Sequence, residues 1–246
     1  MQTFGLDAER FGVLSRIEGD HFWFVARREL LTGLMRRYAP KNMQLLLDLG
    51  CGPGLNLAHW DAFASQVTGV DQHSALTNPN GVDAKPIVDG DVTQLPFDDD
   101  CADFTLLLDV LEHVDDEKAL AEAFRVLKPG GGLLLSVPAH PWLWGARDIG
   151  ADHLRRYSRA GLRQRVQTAG FQITAQRPYQ FFLMPLVIAS RLIGKATSKT
   201  RDMEDRPRGF VNAALKWINR IEVWISLSIC AMPTGSSYTL VARKPG

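Results

Sequence analysis

The chain has 246 residues, 46% hydrophobic and 22% charged, a globular composition with enough length to bury one large core or two small ones. Twenty-eight basic against 27 acidic side chains leave a net charge of +1, too weak a field to hold a nucleic-acid backbone in bulk, so no nucleic-acid partner is expected. Cys51, Cys101 and Cys230 are odd in number and far apart. They make neither a disulfide framework nor the paired spacing of a zinc site, so no metal site is expected and a reducing, cytoplasmic setting fits.

The first ten residues are polar and carry Asp7 and Glu9, unlike the cationic start and apolar core of a secretory signal. Residues 21–31, HFWFVARRELL, form an aromatic and basic start to a helix in a leader spanning 1–42. From 43 to 137 short apolar runs alternate with helical stretches, as βαβ units of a mainly parallel sheet do. Runs 45–49, 66–70, 104–108 and 133–137 predict buried strands. Stretches 55–64 and 116–127 predict helices, the second stopped by a sharp turn at Lys128-Pro129-Gly130-Gly131.

Beyond an irregular stretch, 139–157, Ser158 predicts the N-cap of a helix that stops at Gly170. Residues 171–176 and 238–242 predict two late strands. The segment between them is an insertion into a hairpin, in which Ala214, Trp217, Ile218, Ile221, Trp224 and Ile225 share one helical face. The longest apolar run, 181–193, is broken by Pro185 and Arg191 and falls short of the roughly 20 residues that a spanning helix needs. The organisation expected is a leader (1–42), a core (43–182), a helical insertion (183–234) and a final core strand (235–246).

Leu45-Leu46-Leu47-Asp48-Leu49-Gly50-Cys51-Gly52-Pro53-Gly54 sets a glycine-rich turn at the carboxyl end of a buried strand, where open α/β sheets bind ligands. A pyrophosphate would meet the negative charge of Asp48 and lose an amide donor at Pro53. A ligand carrying a sulfonium and an ammonium is instead attracted by that carboxylate. Asp71 closes the next strand about 20 residues on, the spacing that reaches ribose hydroxyls. Gln72 is placed beside an adenine, and Asp91 and Val92 at a third strand end could accept from its amino group and offer a backbone amide.

In order, Asp48 to Gly54, Val70-Asp71, Gly90-Asp91-Val92 with Leu95-Pro96-Phe97, the segment 108–114 (LDVLEHV) and Leu127-Lys128-Pro129-Gly130-Gly131 resemble the motifs of class I S-adenosylmethionine-dependent methyltransferases. The resemblance covers roughly 43–137. It implies a doubly wound, seven-stranded, mainly parallel α/β sheet of Rossmann-like type with a reversed final strand, and S-adenosylmethionine as cofactor. It implies a cofactor site of Asp48, Gly50, Cys51, Gly52, Asp71, Gln72, Asp91, Val92 and Asp109. In similar enzymes a leader closes over the cofactor, which would bring Arg27 or Arg28 to the methionine carboxylate; a surface helix with an apolar underside fits the leader equally. A dinucleotide-dependent oxidoreductase and a non-catalytic subunit of the same fold stand as alternatives.

Methyl transfer asks a protein to align the nucleophile, exclude water and sometimes remove a proton. His113 and His140 follow the fourth and fifth strands and are the candidate bases; His113 fits a loop-orienting hydrogen bond as well. Residues 138–144 and 153–158, with Trp142, His153 and Tyr157, suggest an acceptor-binding rim, or else a packed lid. No Asn/Asp-Pro-Pro-aromatic sequence follows the fourth strand, which points away from exocyclic amines of bases and towards a small-molecule or lipid- or glycan-linked acceptor. Aromatics and basic residues in 183–234 suit peripheral contact with the inner membrane face; an apolar face covering the sheet or a dimer partner suits them too.

Overall fold

A computed structural model of the chain describes residues 19–72, 85–197 and 209–246. Within them, seven strands form one sheet: β1 (Met43–Leu49), β2 (Ala64–Asp71), β3 (Ile87–Asp89), β4 (Ala102–Leu108), β5 (Leu127–Pro138), β6 (Gln172–Tyr179) and β7 (Ser237–Arg243). Their order is β3-β2-β1-β4-β5-β7-β6. The first five run parallel, and β7 lies antiparallel between β5 and β6.

Strand side chains alternate between faces, so each apolar run feeds two cores. Leu47, Leu49, Leu107, Leu133 and Leu135 meet α3 (Asp116–Val126) through Ala119, Leu120 and Ala123, and α5 (Arg159–Thr168) through Leu162 and Val166. Leu46, Leu106, Leu134 and Val241 face the other way, towards Leu30, Leu31 and Leu34 of α1 (Phe22–Tyr38) and Trp60 of α2 (Leu57–Trp60). Each leucine so buried contributes about 1.5–3 kcal/mol. The stop of α5 is a Schellman turn: Gly170, at φ +98°, donates to Gln167 O and Phe171 donates to Val166 O.

Two expected local features differ. The helix expected over 55–64 shrinks to α2, because Ala64 already pairs with Met43 in the β1/β2 ladder. The Lys128-Pro129-Gly130-Gly131 turn lies inside β5 as an irregularity: Ala102 pairs with Leu127 but Phe104 with Gly132. Gly130 and Gly131 are then tied to Lys244 beyond β7, at 3.0 and 2.9 Å.

The insertion forms α6 (Met184–Thr197) and α7 (Gly209–Ser228), between β6 and β7. Of the placements left open for its apolar stripe, α7 does not take the one that covers the sheet. Asn212, Asn219, Glu222 and Ser226 are buried, while Trp217 and Trp224 are 67% and 60% exposed. Asn212, Asn219 and Glu222 are buried because they bond to backbone at the start of α1 and after β6. Asn212 Oδ1 accepts from Phe22 N at 2.9 Å, and the Glu222 carboxylate accepts from Phe181 N and Phe182 N at 3.0 and 2.9 Å.

Glu222→Ala leaves two largely buried amides without an acceptor, at about 1–3 kcal/mol each. We expect urea unfolding to show a loss of about 2–4 kcal/mol for Glu222→Ala and a smaller loss for Glu222→Gln, which keeps an acceptor oxygen. Equal stability of Glu222→Ala and the parent would refute this account of why α7 packs polar side inward.

Candidate active site

At the carboxyl end of β1 the chain turns through Gly50, Gly52 and Gly54, at φ +75°, +55° and +76°, values that side chains rarely adopt. Gly50 N and Cys51 N both donate to Val70 O, at 2.7 and 3.1 Å, which ties the loop to β2. A Cβ on Gly50 would come within 2.6 Å of Val110, whereas one on Gly52 would stand in open space. Gly50 is thus required by packing, and Gly52 leaves room above the loop.

Two buried carboxylates flank this turn. Asp48 accepts from Trp60 Nε1 at 3.2 Å, and Asp71 accepts from Gly52 N at 2.8 Å. Burial first, and then the charges of Asp48 and Asp71, push the Cys51 thiol well up from its usual range. Cys51 therefore stays neutral, and the field at the loop is negative.

The remaining expected cofactor residues are spread along the same edge. Gln72 is exposed just beyond β2. Asp91 is exposed, and its Oδ1 accepts from Thr93 N and Oγ1 at 2.8 and 2.7 Å, so the carboxylate folds its own turn. Val92 is buried in the core with Leu95, Val110 and Leu111. Asp109, at φ +58°, forms an ion pair with Arg27. Arg27 also donates to Ser136 Oγ at 3.2 Å and lies 5.2 Å from the Trp23 ring. The leader thus carries its arginine into the sheet edge, where Asp109 holds it.

Beyond β5, where an acceptor rim is expected, His140 Nε2 lies 2.7 Å from Thr234 Oγ1, and the ring lies 5.4 Å from that of Trp142 at a 41° tilt; Trp142 is 56% exposed. Burial, and then the nearby Arg156, hold the His140 imidazole below its usual pKa. His113 and His153 meet edge to face at 4.8 Å. Tyr157 departs from the expected rim: it is 3% exposed, with its hydroxyl 2.8 Å from Asp116 Oδ2 and 3.0 Å from Leu111 O. It joins two loops in the interior, because a buried phenol needs such acceptors.

Sequence reasoning passed over the groups that build this rim. Asp148, fully buried, receives His153 Nδ1 at 3.2 Å, Arg156 Nε at 2.7 Å, Arg191 at 2.9 Å and Gly145 N at 2.8 Å. Burial alone would raise its carboxyl; the His153 hydrogen bond, the charges of Arg156 and Arg191 and the Gly145 amide outweigh that and hold it at about 2. Glu112, inside the quoted 108–114 segment, is 1% exposed, and burial, then Asp109, keep its carboxyl well above the usual range. Nothing in the sequence distinguished either acid from a solvated one, since their partners lie on other loops.

Residues 47–135 match the family model of a methyltransferase domain. The chain is similar to a Mycolicibacterium smegmatis protein named a probable S-adenosylmethionine-dependent methyltransferase, at 31% identity over 63% of this chain and 61% of the relative. It is similar to a demethylmenaquinone methyltransferase of Clavibacter sepedonicus, at 32% identity over 57% of this chain and 58% of the relative. The chain thus spans about three-fifths of the length of these curated relatives. Among solved structures it is similar to phosphoethanolamine N-methyltransferase 2 of Haemonchus contortus in complex with S-adenosyl-L-methionine, with a TM-score of 0.61 and 18% identity over 98% of this chain and 58% of that one.

The depressed carboxyl of Asp148 fixes a sign for the pH dependence. A carboxylate whose folded pKa lies below its unfolded value contributes stability above the unfolded pKa, lost as pH falls through the folded one. From 3.8 down to about 2, that is on the order of 2 kcal/mol. Asp148→Asn is expected to unfold more easily in urea at pH 7 by at least about that amount, and the gap to narrow between pH 4 and pH 2. A gap of the same size at both ends would count against the Asp148 cluster.

Proposed function

From the premise that this chain belongs to the class I S-adenosylmethionine-dependent methyltransferases, we propose that it transfers a methyl group to a small-molecule or lipid- or glycan-linked acceptor. The observation that carries this reading is the glycine turn, set between buried Asp48 and Asp71 with open space over Gly52. The residues fit the cofactor: its cationic amino-acid end suits the negative field at Cys51, and a close-lying ligand suits Gly52.

When bound, S-adenosylmethionine supplies an electrophilic methyl group on sulfonium, open to in-line displacement. Asp48 would draw its ammonium, and Asp71, which pins Gly52, would accept from its ribose hydroxyls. Gln72, Asp91 and the backbone of Val92 would hold the adenine, and Asp109 with Arg27 the amino-acid end. His140 and His113 are the candidate proton acceptors, and burial, then Arg156, lower the His140 pKa, which favours its neutral imidazole. Trp142 and His153 hold the acceptor. That one relative bears the name demethylmenaquinone methyltransferase supports a small-molecule acceptor.

No helix among the described residues is long and apolar enough to cross a membrane. We assign residues 183–234 a peripheral contact, supported by the exposure of Trp217, Trp224, Leu186 and Phe210. Co-sedimentation with anionic vesicles is expected for the parent and reduced for Trp217→Ala with Trp224→Ala; an unbound parent removes the membrane contact and leaves the chemistry standing.

Calorimetry should give micromolar binding of S-adenosylmethionine and S-adenosylhomocysteine and none of NAD. Asp71→Ala is expected to weaken that binding by about 1–3 kcal/mol. Asp71→Asn, which keeps an acceptor for Gly52 N, separates loop pinning from charge. If the folded protein binds neither S-adenosylmethionine nor S-adenosylhomocysteine, the reading fails.

A further inference from the structure

We propose that Glu112, His113 and His153 form a binding site for one divalent transition-metal ion. One ligand atom from each of the three lies within 4.8 Å of the others. A tetrahedral ion with nitrogen and oxygen ligands at about 2.0–2.2 Å holds its donors about 3.4 Å apart, so the set closes by up to roughly 1.4 Å on binding.

The site is built rather than assembled from surface groups. Glu112 is 1% exposed, and its Oε2 has no hydrogen-bond partner in the protein. A buried carboxylate oxygen left so is costly unless something cationic meets it. His153 has its Nδ1 against Asp148 Oδ1 at 3.2 Å. Arg156 Nε at 2.7 Å and Arg191 at 2.9 Å hold Asp148 in place behind that ring nitrogen, and Nε2 is the ring atom left for an ion. Carboxylates behind metal-bound histidines fix tautomer and ring in this way.

The two loops that carry the ligands are joined by hydrogen bonds. Leu154 N donates to Glu112 O at 2.7 Å, and Arg155 donates to Val114 O at 2.9 Å. The two arginines near Glu112 do not leave a bare positive field, because Arg27 is paired with Asp109 and Arg156 with Asp148.

The donor set decides the class of ion. Two imidazoles and one carboxylate suit zinc, iron(II), cobalt(II) or nickel(II), whereas magnesium and calcium prefer oxygen throughout. Three protein ligands also leave a coordination position for water or another small ligand.

The test uses the full chain, without an affinity tag, stripped by a chelator and titrated with zinc(II) and cobalt(II). Bound metal is counted by mass spectrometry, cobalt coordination is read from visible absorption, and melting temperature is followed. We expect one equivalent bound in the micromolar range or tighter, a raised melting temperature and no such saturation by magnesium. His113→Ala and His153→Ala are each expected to weaken binding at least 10-fold, with the fold checked by circular dichroism, and Glu112→Gln to do the same. His59→Ala, outside the cluster, should bind as the parent does. Failure of the parent to bind one equivalent, or binding unchanged in both histidine variants, overturns the site.

Discussion

A carboxylate withdrawn from water costs several kcal/mol unless a donor meets it, and at the carboxyl ends of β1, β2 and β4 the donors that meet Asp48, Asp71 and Asp109 shape everything around them. Trp60 is brought against Asp48 by the short helix α2, which explains why that helix is kept although β2 claims the residues after it. Gly52 N turns inward to Asp71, which sets the course of the glycine loop. Arg27 reaches Asp109 from the leader. Three charges of one sign at neighbouring strand ends thus recruit a loop, a helix and a leader to the same edge.

The leader's own requirement accounts for α7. The first amides of a helix lack intrahelical acceptors, and α1 begins where water is largely excluded. His21 Nδ1 accepts from Trp23 N at 3.2 Å, and Asn212 Oδ1 of α7 takes Phe22 N. Asn212 also returns a donor to Asp20 O at 2.9 Å. A helix that supplies such acceptors must bury its polar stripe, and the opposite stripe, with Trp217 and Trp224, then faces out. The aromatic exposure follows from how α1 is capped.

These two cases show what was legible in the sequence. The strand runs, the glycine turn and the acids after β1, β2 and β4 were readable because periodicity and short spacing are local properties. The doubly wound, mainly parallel sheet with its reversed final strand followed from the resemblance. The orientation of α7 was not readable, since hydrophobic spacing locates an apolar stripe but does not say whether it is buried. Its polar stripe is decided by residues almost 200 positions away. Tyr157 was misplaced for a related reason: an aromatic beside arginines reads as a rim residue, while its partners Leu111 and Asp116 lie on another loop. Asp91 stands just past β3, and its carboxylate accepts from its own Thr93, a partner that the run of strand ends does not reveal.

The rim is where this long-range control matters for chemistry. Residues 153–157 bridge two strand ends: Tyr157 N and O bond to Pro138 O and His140 N beyond β5, while Leu154 N and the Tyr157 hydroxyl reach Glu112 and Leu111 beyond β4. His140, Trp142 and His153 therefore take their positions from β4 and β5, whereas the glycine turn takes its position from β1 and β2. Changes of rim sequence can reshape the acceptor side and leave Asp48, Gly52 and Asp71 where they are. A single core can in this way keep one cofactor loop beside many acceptor pockets.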